Sequence, residues 1–273
     1  MPALDVYHIT DKLDDAILDV IVTRLEARGK HPLFQGMLND YLNAMAIEDA
    51  GAVLDMGCGT GVAGRYIAAR DGFSGTVLGV DHSPYLISCA ERFADEEGVG
   101  ERLTFQVGDT ESLKLNDGAF DAVIMHTLVS HVSDPLAVLA EAKRVTRPGG
   151  MIGVFDGDYA SITFEQDDPA KSKADEETII SAVVTQPRVM RRLPRLAKRA
   201  DLALVKSFPY VVAEIGQADF WLPAVESFRK LLPKAGAMTN EEAASWADMI
   251  LRSSEAGTFF GASNFYGYVF RRP

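Results

Sequence analysis

Between residues 52 and 155 the chain repeats one pattern: a short apolar run, a turn, then a helix-period segment. Ala52–Met56, Thr76–Val80, Leu103–Val107, Phe120–Met125 and Met151–Phe155 are predicted strands. They are apolar almost throughout, which marks strands of a parallel sheet covered by helices on both faces. Right-handed crossovers then bring the C-terminal strand ends to one edge, where ligands bind in open sheets. The helix starts are legible too. Ser83-Pro84 and Asp134-Pro135 each place a capping side chain before a proline at the first helical position. The first strand is followed by a helix to about Arg70. The helix opened by Asp134 runs to Val145 and is stopped by Pro148-Gly149-Gly150.

The flanking regions differ. Residues 10–29 read as an amphipathic helix with Thr10 as N-cap and Asp11, Asp14 and Asp15 in its first turn. Its stripe is Leu13, Ile17, Val20, Ile21 and Leu25, with Arg24 and Arg28 near its end and Gly29 as its stop. A second helix spans Pro32 to about Met45 and is expected to bury Leu33, Met37, Leu38, Tyr41 and Met45. Both precede any strand, so residues 1–50 are expected to form a helical cap and 51–273 the α/β domain. After Asp156, residues 157–186 read as loop plus helix. Pro194–Ala200 is a predicted helix, and Leu202–Val212 and Thr258–Phe270 are predicted strands. Between those strands, residues 216–257, with Trp221 and Trp246, are expected to form a helical lid or partner surface.

Composition narrows the class. Of 273 residues, 47% are hydrophobic, enough for a sizeable core. No apolar run reaches the roughly 18–20 residues of a membrane span. The N-terminus lacks a signal-peptide pattern. Cys58 and Cys89 make neither a disulfide framework nor a zinc cluster, so no metal site is predicted. A cytoplasmic location is the expectation. A net charge of −12 argues against a nucleic-acid partner. No sequence feature sets an oligomeric state.

The turn "VLDMGCGTGVAG" (Val53–Gly64) has two registers. Gly59-x-Gly61-x-x-Gly64 spells a dinucleotide-binding turn, whereas Asp55 ahead of Gly57-x-Gly59-x-Gly61 spells another pocket. A carboxylate at Asp55 would face a dinucleotide's pyrophosphate and repel it, but would attract an ammonium group. Gly64 is then only a small residue in the first helical turns. Asp81 ends the second strand, twenty residues after Gly61, where a carboxylate binds ribose hydroxyls. Asp109 ends the third strand and can accept from an adenine amino group, with the Thr110 backbone beside it. Three acids at successive strand ends describe a ligand with an amine, a ribose and an adenine, and no phosphate. Local capping by Asp55, or solvated loop acids at Asp81 and Asp109, is the blander alternative.

These motifs, with "VLGVDHSP", "VGDTESLKLNDGAFDAVIMHTLVSHVSDP" and "RVTRPGGMIGVFD", resemble the ordered motifs of class I S-adenosylmethionine-dependent methyltransferases. The similarity covers roughly residues 52–156 and is nearest to the small-molecule branch related to the ubiquinone/menaquinone methyltransferases. It implies a Rossmann-like sheet of seven mostly parallel strands with an antiparallel last strand supplied by Thr258–Phe270. It also implies S-adenosyl-L-methionine as cofactor. Asp55, Gly57, Gly59 and Gly61 would border its methionine part, Asp81 the ribose hydroxyls, and Asp109 with Thr110 the adenine. His82 stands where the family usually has an apolar residue against the adenine.

A sulfonium is an activated methyl donor, so methyl transfer needs an aligned acceptor and a dry site. A general base is needed only for a protonated acceptor. His126, at the fourth strand end, is a candidate base and cofactor neighbour, its alternative a pocket-lining role. His131 is a second candidate, with a structural role as its alternative. Asp156, Asp158 and Tyr159 are candidate acceptor contacts, and Tyr7 and His8 are expected to close over the cofactor. Phe259, Phe260, Phe265 and Tyr266 are expected in the core. Arg188, Arg192, Arg195 and Arg199 lie on one helix face, read as solvated or, alternatively, as an RNA surface. The function expected is methyl transfer to a small-molecule acceptor. The alternatives are an NAD-dependent oxidoreductase, a non-catalytic S-adenosylmethionine-binding module and an RNA methyltransferase.

Overall fold

Seven strands lie in one sheet in the order β3-β2-β1-β4-β5-β7-β6, in a computed structural model that describes residues 5–273. They are β1 (Ala52–Met56), β2 (Thr76–Asp81), β3 (Leu103–Val107), β4 (Phe120–His126), β5 (Thr146–Phe164), β6 (Ala203–Gly216) and β7 (Phe259–Arg271). β1 to β5 pair in parallel, and β7 runs antiparallel between β5 and β6. This is the mostly parallel α/β sheet expected from the apolar runs.

Alternation along each strand divides the core between the two faces. Val53, Ile124 and Phe155 point to one side, where Ile21, Tyr41 and Ile67 cover them. Leu54, Val123 and Val154 point to the other, against Leu139 and Val189. Each such fully buried aliphatic side chain contributes ~1.5–3 kcal/mol. Burial on both faces is why these strands show no polar period.

Helices α3 (Val62–Ala68), α4 (Pro84–Glu96) and α5 (Pro135–Val145) make the crossovers. Ser83 caps α4 and Asp134 caps α5 through the leading backbone N–H groups, as their sequences predict.

α1 (Asp15–Lys30) and α2 (Pro32–Met45) lie ahead of the sheet. Thr10 is not the cap of α1: it sits in a short 3-10 turn (Thr10–Lys12), and Asp14 caps the helix by accepting from Ile17 N at 3.1 Å. Gly29 does not stop α1 either. It lies inside the helix, where a Cβ would come within 2.4 Å of Val62 Cγ1, so it lets α1 approach α3 closely. In α2, Leu33 is 42% exposed and the adjacent Phe34 takes the core position instead. A buried ion pair fixes α1 laterally. Glu26 Oε1 accepts from Arg65 Nη2 at 2.6 Å, and Arg65 also bonds Glu97 beyond α4.

The C-terminal third departs furthest from expectation. β5 continues to Phe164 because the long β7 extends the pairing, with Thr163 opposite Ala262 and Phe164 opposite Gly261 beyond a bulge. The helix in this stretch, α6, spans Pro169–Val183. α7 (Val189–Arg199) begins ahead of Pro194, which lies inside it. The insertion between β6 and β7 is helical, comprising α8 (Leu222–Lys234) and α9 (Asn240–Glu255). Trp221 and Trp246 both meet the Phe164 ring edge-on, with centroids 5.4 and 5.6 Å away. No helix among the described residues is long and apolar enough to cross a membrane.

Candidate active site

The C-terminal ends of β1, β2 and β4 open into a cavity of about 380 Å³, within the usual size of ligand pockets. α1 covers it. Leu25 reaches over Gly59, at 3.2 Å from where a Cβ would stand, and Leu128 presses on Gly57 from the β4 side. The loop between is left-handed at Gly57, Gly59 and Gly61, with φ of +68°, +54° and +76°. Gly57 and Gly59 line the cavity. Gly61 does not. Its missing Cβ would collide with Phe105, so that glycine serves helix–sheet packing.

Asp55 lies under this loop and is 1% exposed. Its Oδ2 accepts from Gly64 N at 3.1 Å, while Oδ1 has no partner among the described residues. Gly64 is therefore more than a small residue in the helix, since its N–H holds the carboxylate in place. Burial pushes the Asp55 carboxyl up to about 7, with the Gly64 N–H opposing and the Asp81 charge adding to the rise. A buried acceptor oxygen without a donor is unfavourable by about 1–3 kcal/mol unless a ligand supplies one. An ammonium group meets that need.

Asp81 accepts from Gly59 N at 2.9 Å through Oδ2 and from Ser83 N at 3.0 Å through Oδ1. It shapes the loop and keeps lone pairs for hydroxyls, since a carboxylate has about four acceptor sites. Asp109 uses Oδ1 for Glu111 N at 2.8 Å, and Asp109 and Thr110 line the cavity. His82 also lines it, and its Nε2 lies 2.9 Å from the Thr10 hydroxyl. The Tyr7–Lys12 segment is thereby held against the opening, where Tyr7 and His8 form part of the wall.

The two candidate histidines separate in character. His126 is 9% exposed between the rings of Phe155 (stacked at 5.0 Å) and Phe34 (edge-on at 5.0 Å). Its Nδ1 lies 3.1 Å from Tyr41 Oη, and Nε2 is buried without a partner among the described residues. Burial, reinforced by the Arg28 charge, pushes it down to about 3, so it is neutral and only weakly basic. That opposes the expected base role at His126. His131 Nδ1 lies 3.0 Å from Asp5 Oδ2, and its carbonyl oxygen is 2.8 Å from His8 Nδ1. Burial acts to lower its pKa, but the Asp5 charge and hydrogen bond, with Asp156, outweigh this and leave it raised. Asp5 in turn accepts from Thr185 N and Oγ1, both at 2.9 Å, which fixes its orientation.

The two acids expected to follow the fifth strand, Asp156 and Asp158, lie within the extended β5, and neither lines the cavity. Asp156 accepts from Ser130 N and Gly157 N and is fully buried. Asp158 is gripped by Arg191, with Nε 3.0 and 2.9 Å from its two oxygens. Tyr159 alone of that group reaches the cavity. In the last strand Phe259 and Phe265 are core, while Phe260 is 37% exposed. Arg188, Arg192, Arg195 and Arg199 are exposed opposite buried Val189, Met190, Leu193 and Ala197, as a solvated helix face requires.

Among the cavity residues that escaped the sequence reading are Arg24 and Arg28, which it gave only a helix-end role. Both line the cavity. Arg24 is 8% exposed, with Nη1 unpartnered among the described residues. Burial and the neighbouring Arg28 charge lower its pKa to about 10. Arg28 Nη2 donates to Thr127 Oγ1 at 2.9 Å, and its guanidinium lies 4.9 Å from the Phe34 centroid. The signal was present: positions 17, 20, 24 and 28 follow helical spacing, so both arginines continue an apolar stripe.

Known proteins agree with this geometry. Residues 54–154 match the methyltransferase domain family. A 37.1 kDa protein in transposon TN4556 of Streptomyces fradiae is 30% identical over 253 residues, covering 92% of this chain and 69% of that one. Sterol 24-C-methyltransferase erg6 of Aspergillus fumigatus is 35% identical over 128 residues, 46% of this chain and 33% of the sterol enzyme, so the chain spans a third of that relative. The structure of geranyl diphosphate methyltransferase in complex with SAM shares the fold, with a TM-score of 0.55 at 19% identity over 100% of this chain and 97% of that one. The chain belongs to the class I S-adenosylmethionine-dependent methyltransferases. Its methyl donor is S-adenosylmethionine, and the unpartnered oxygen of Asp55 beside backbone-exposing glycines fits that donor's amino-acid end.

Proposed function

We propose that the chain methylates a small-molecule acceptor whose nucleophile is deprotonated by His131. The observation that carries this reading is that His131, in the wall of the cavity that also holds Asp55, is paired with Asp5 behind it. When bound, S-adenosylmethionine supplies an electrophilic methyl group on sulfur.

Asp55 Oδ1 takes the donor's ammonium group, and Arg28, steadied by Thr127, takes its carboxylate. Asp81 accepts from the ribose hydroxyls, Asp109 and the Thr110 backbone read the adenine, and His82 lies beside it. With Nδ1–H donated to Asp5, His131 offers Nε2 as the acceptor of the nucleophile's proton. The nucleophile so freed of its proton would accept the donor's methyl group, the sulfur keeping the electron pair of the broken bond. His126 and Phe155 form a dry wall and handle no proton.

The helical cap of residues 1–50 and the 216–257 insertion enclose the acceptor, since Arg24 and Leu25 of α1 and Phe228 of α8 line the cavity. The sterol substrate named for the Aspergillus relative is in keeping with a small-molecule acceptor, and the net charge of −12 disfavours RNA. The kinship with ubiquinone/menaquinone methyltransferases rests on the motifs alone, and a cytoplasmic location on the composition and the two free cysteines.

Transfer of a labelled methyl group to a panel of phenols, amines and thiols tests this reading. His131→Gln should lower turnover by about 10²–10⁴-fold while S-adenosylmethionine binding persists. Donor binding without turnover on any acceptor would favour a non-catalytic binding module. Full turnover by His131→Gln would remove that residue from the chemistry.

A further inference from the structure

The cavity is lined by three cations, Lys12, Arg24 and Arg28, of which Arg24 and Arg28 lie on α1. An amino-acid end offers a single carboxylate, and Arg28, bonded to Thr127 beside the glycine loop, is placed for it. Arg24 stands one helical turn away. Its Nη1 is buried and unpartnered among the described residues. Leaving a guanidinium buried without an anion is strongly unfavourable, and its planar fork matches carboxylates. No acid lies among the neighbours whose charges act on Arg24, which are Arg28, Tyr7 and Tyr159.

Arg24 shares the cavity lining with Tyr7, Tyr159 and His131, which puts it on the acceptor side. Tyr7 lies 5.0 Å from the His131 ring and Tyr159 lies 6.0 Å from it, measured between ring centroids. Arg24, Tyr7, Tyr159, His131, Val183 and Phe228 all line the cavity, so a cation, a base and an apolar surface converge there. Once Arg28 serves the cofactor, Arg24 is the one buried cation left in the lining among the described residues, since Lys12, which also lines the cavity, is exposed. The remaining single charge suits a monoanion.

We propose that the methyl acceptor is a carboxylic acid with an apolar body, anchored through its carboxylate to Arg24. This rests on the methyltransferase reading above and adds the substrate class to it. The carboxylate is the handle, and the methylated nucleophile is a separate group held near His131 Nε2.

The test is calorimetric titration of the full chain saturated with S-adenosylhomocysteine. The probes are benzoate, phenylacetate and octanoate, each against its primary amide, with phenyl phosphate as a further arm. Acids should bind at least about tenfold tighter than their amides, as a charge-assisted bidentate contact implies. Arg24→Gln should erase that preference while S-adenosylhomocysteine affinity stays within about threefold, and Arg24→Lys should restore part of it. Equal binding, or no binding, of acids and amides overturns the proposal. So does phenyl phosphate binding tighter than every acid. A large loss of S-adenosylhomocysteine affinity in Arg24→Gln would assign Arg24 to the cofactor instead. Failure of the unaltered chain to bind S-adenosylhomocysteine at all would be a failure of the methyltransferase reading, and is distinguishable from the others.

Discussion

Asp5 Oδ2 lies 3.0 Å from His131 Nδ1 across 126 positions of sequence, joining the segment ahead of α1 to the turn after β4. The contact commits Nδ1 of His131 to Asp5 and holds the N-terminal segment, whose Tyr7 and His8 line the cavity, against the site.

A base must be neutral to act, and the His131 pKa is raised above 6.5 by Asp5 against the opposing effect of burial. Turnover should therefore fall as pH drops through that raised value and level off above it. Asp5→Asn should move this limb to lower pH and reduce kcat by about tenfold or more. A pH–rate profile of the two proteins checks both effects. The same protonation stabilises the fold. Its contribution is complete below the unfolded value and is lost as pH rises through the raised one, so denaturant midpoints followed across that window give a second reading.

Asp55 gives the opposite dependence for donor binding. Burial raises its carboxyl to about 7, yet an ammonium ligand requires the carboxylate. S-adenosylmethionine affinity should rise with pH by up to about tenfold per unit below 7 and flatten above it. In the cofactor-free chain the folded state holds this proton more tightly than the unfolded state. Asp55 thus withdraws stability as pH climbs from about 4 to about 7. Asp55→Asn should be more stable than the unaltered chain at pH 8, by about 1–2 kcal/mol, and should bind the donor more weakly. Thermal unfolding and calorimetry separate the two effects.

His126, pushed down to about 3, should contribute no limb between pH 5 and 9. His126→Ala should leave the pH profile in place while destabilising the fold by about 2–4 kcal/mol, through a cavity among Phe34, Phe155 and Tyr41 and the lost Tyr41 partner. Chemical denaturation measures the stability change. A vanished acidic limb in this variant would return the base role to His126.

Glu26 and Arg65 hold α1 above the glycine loop, and both are buried. Glu26→Gln should destabilise the fold by about 3 kcal/mol, because Arg65 keeps only Glu97. It should also weaken donor binding, since Leu25 and Arg28 ride on the same helix. Denaturant titration with and without S-adenosylhomocysteine checks the pair of effects.

Local chemistry made much of the fold legible. β1 and β3 match their apolar runs to the residue, and Ser83 and Asp134 cap the helices their sequences announce. What sequence hid was set by partners far away in the chain. β5 runs on to Phe164 only because β7 is there to pair with it, and Gly29 is read as a stop until Val62 is seen against it. Thr10 resembles a cap but faces His82. In the site, strand-end acids announce themselves by position, so Asp55, Asp81 and Asp109 were readable. Arg24, Arg28 and Asp5 were not, because a charge on an apolar stripe acquires meaning only from the cavity it faces, and one in a terminal segment only from its distant partner, here His131. The choice between His126 and His131 likewise depended on surroundings: one ring is enclosed by aromatics, the other is paired with a carboxylate.

The most direct test of the whole account is calorimetric titration of the unaltered chain, Asp55→Asn and Asp81→Ala with S-adenosylhomocysteine and, separately, with NADH. The unaltered chain should bind S-adenosylhomocysteine and not NADH, and each variant should lose about 1–3 kcal/mol of that binding. Tight NADH binding, or S-adenosylhomocysteine affinity unchanged in both variants, would contradict it.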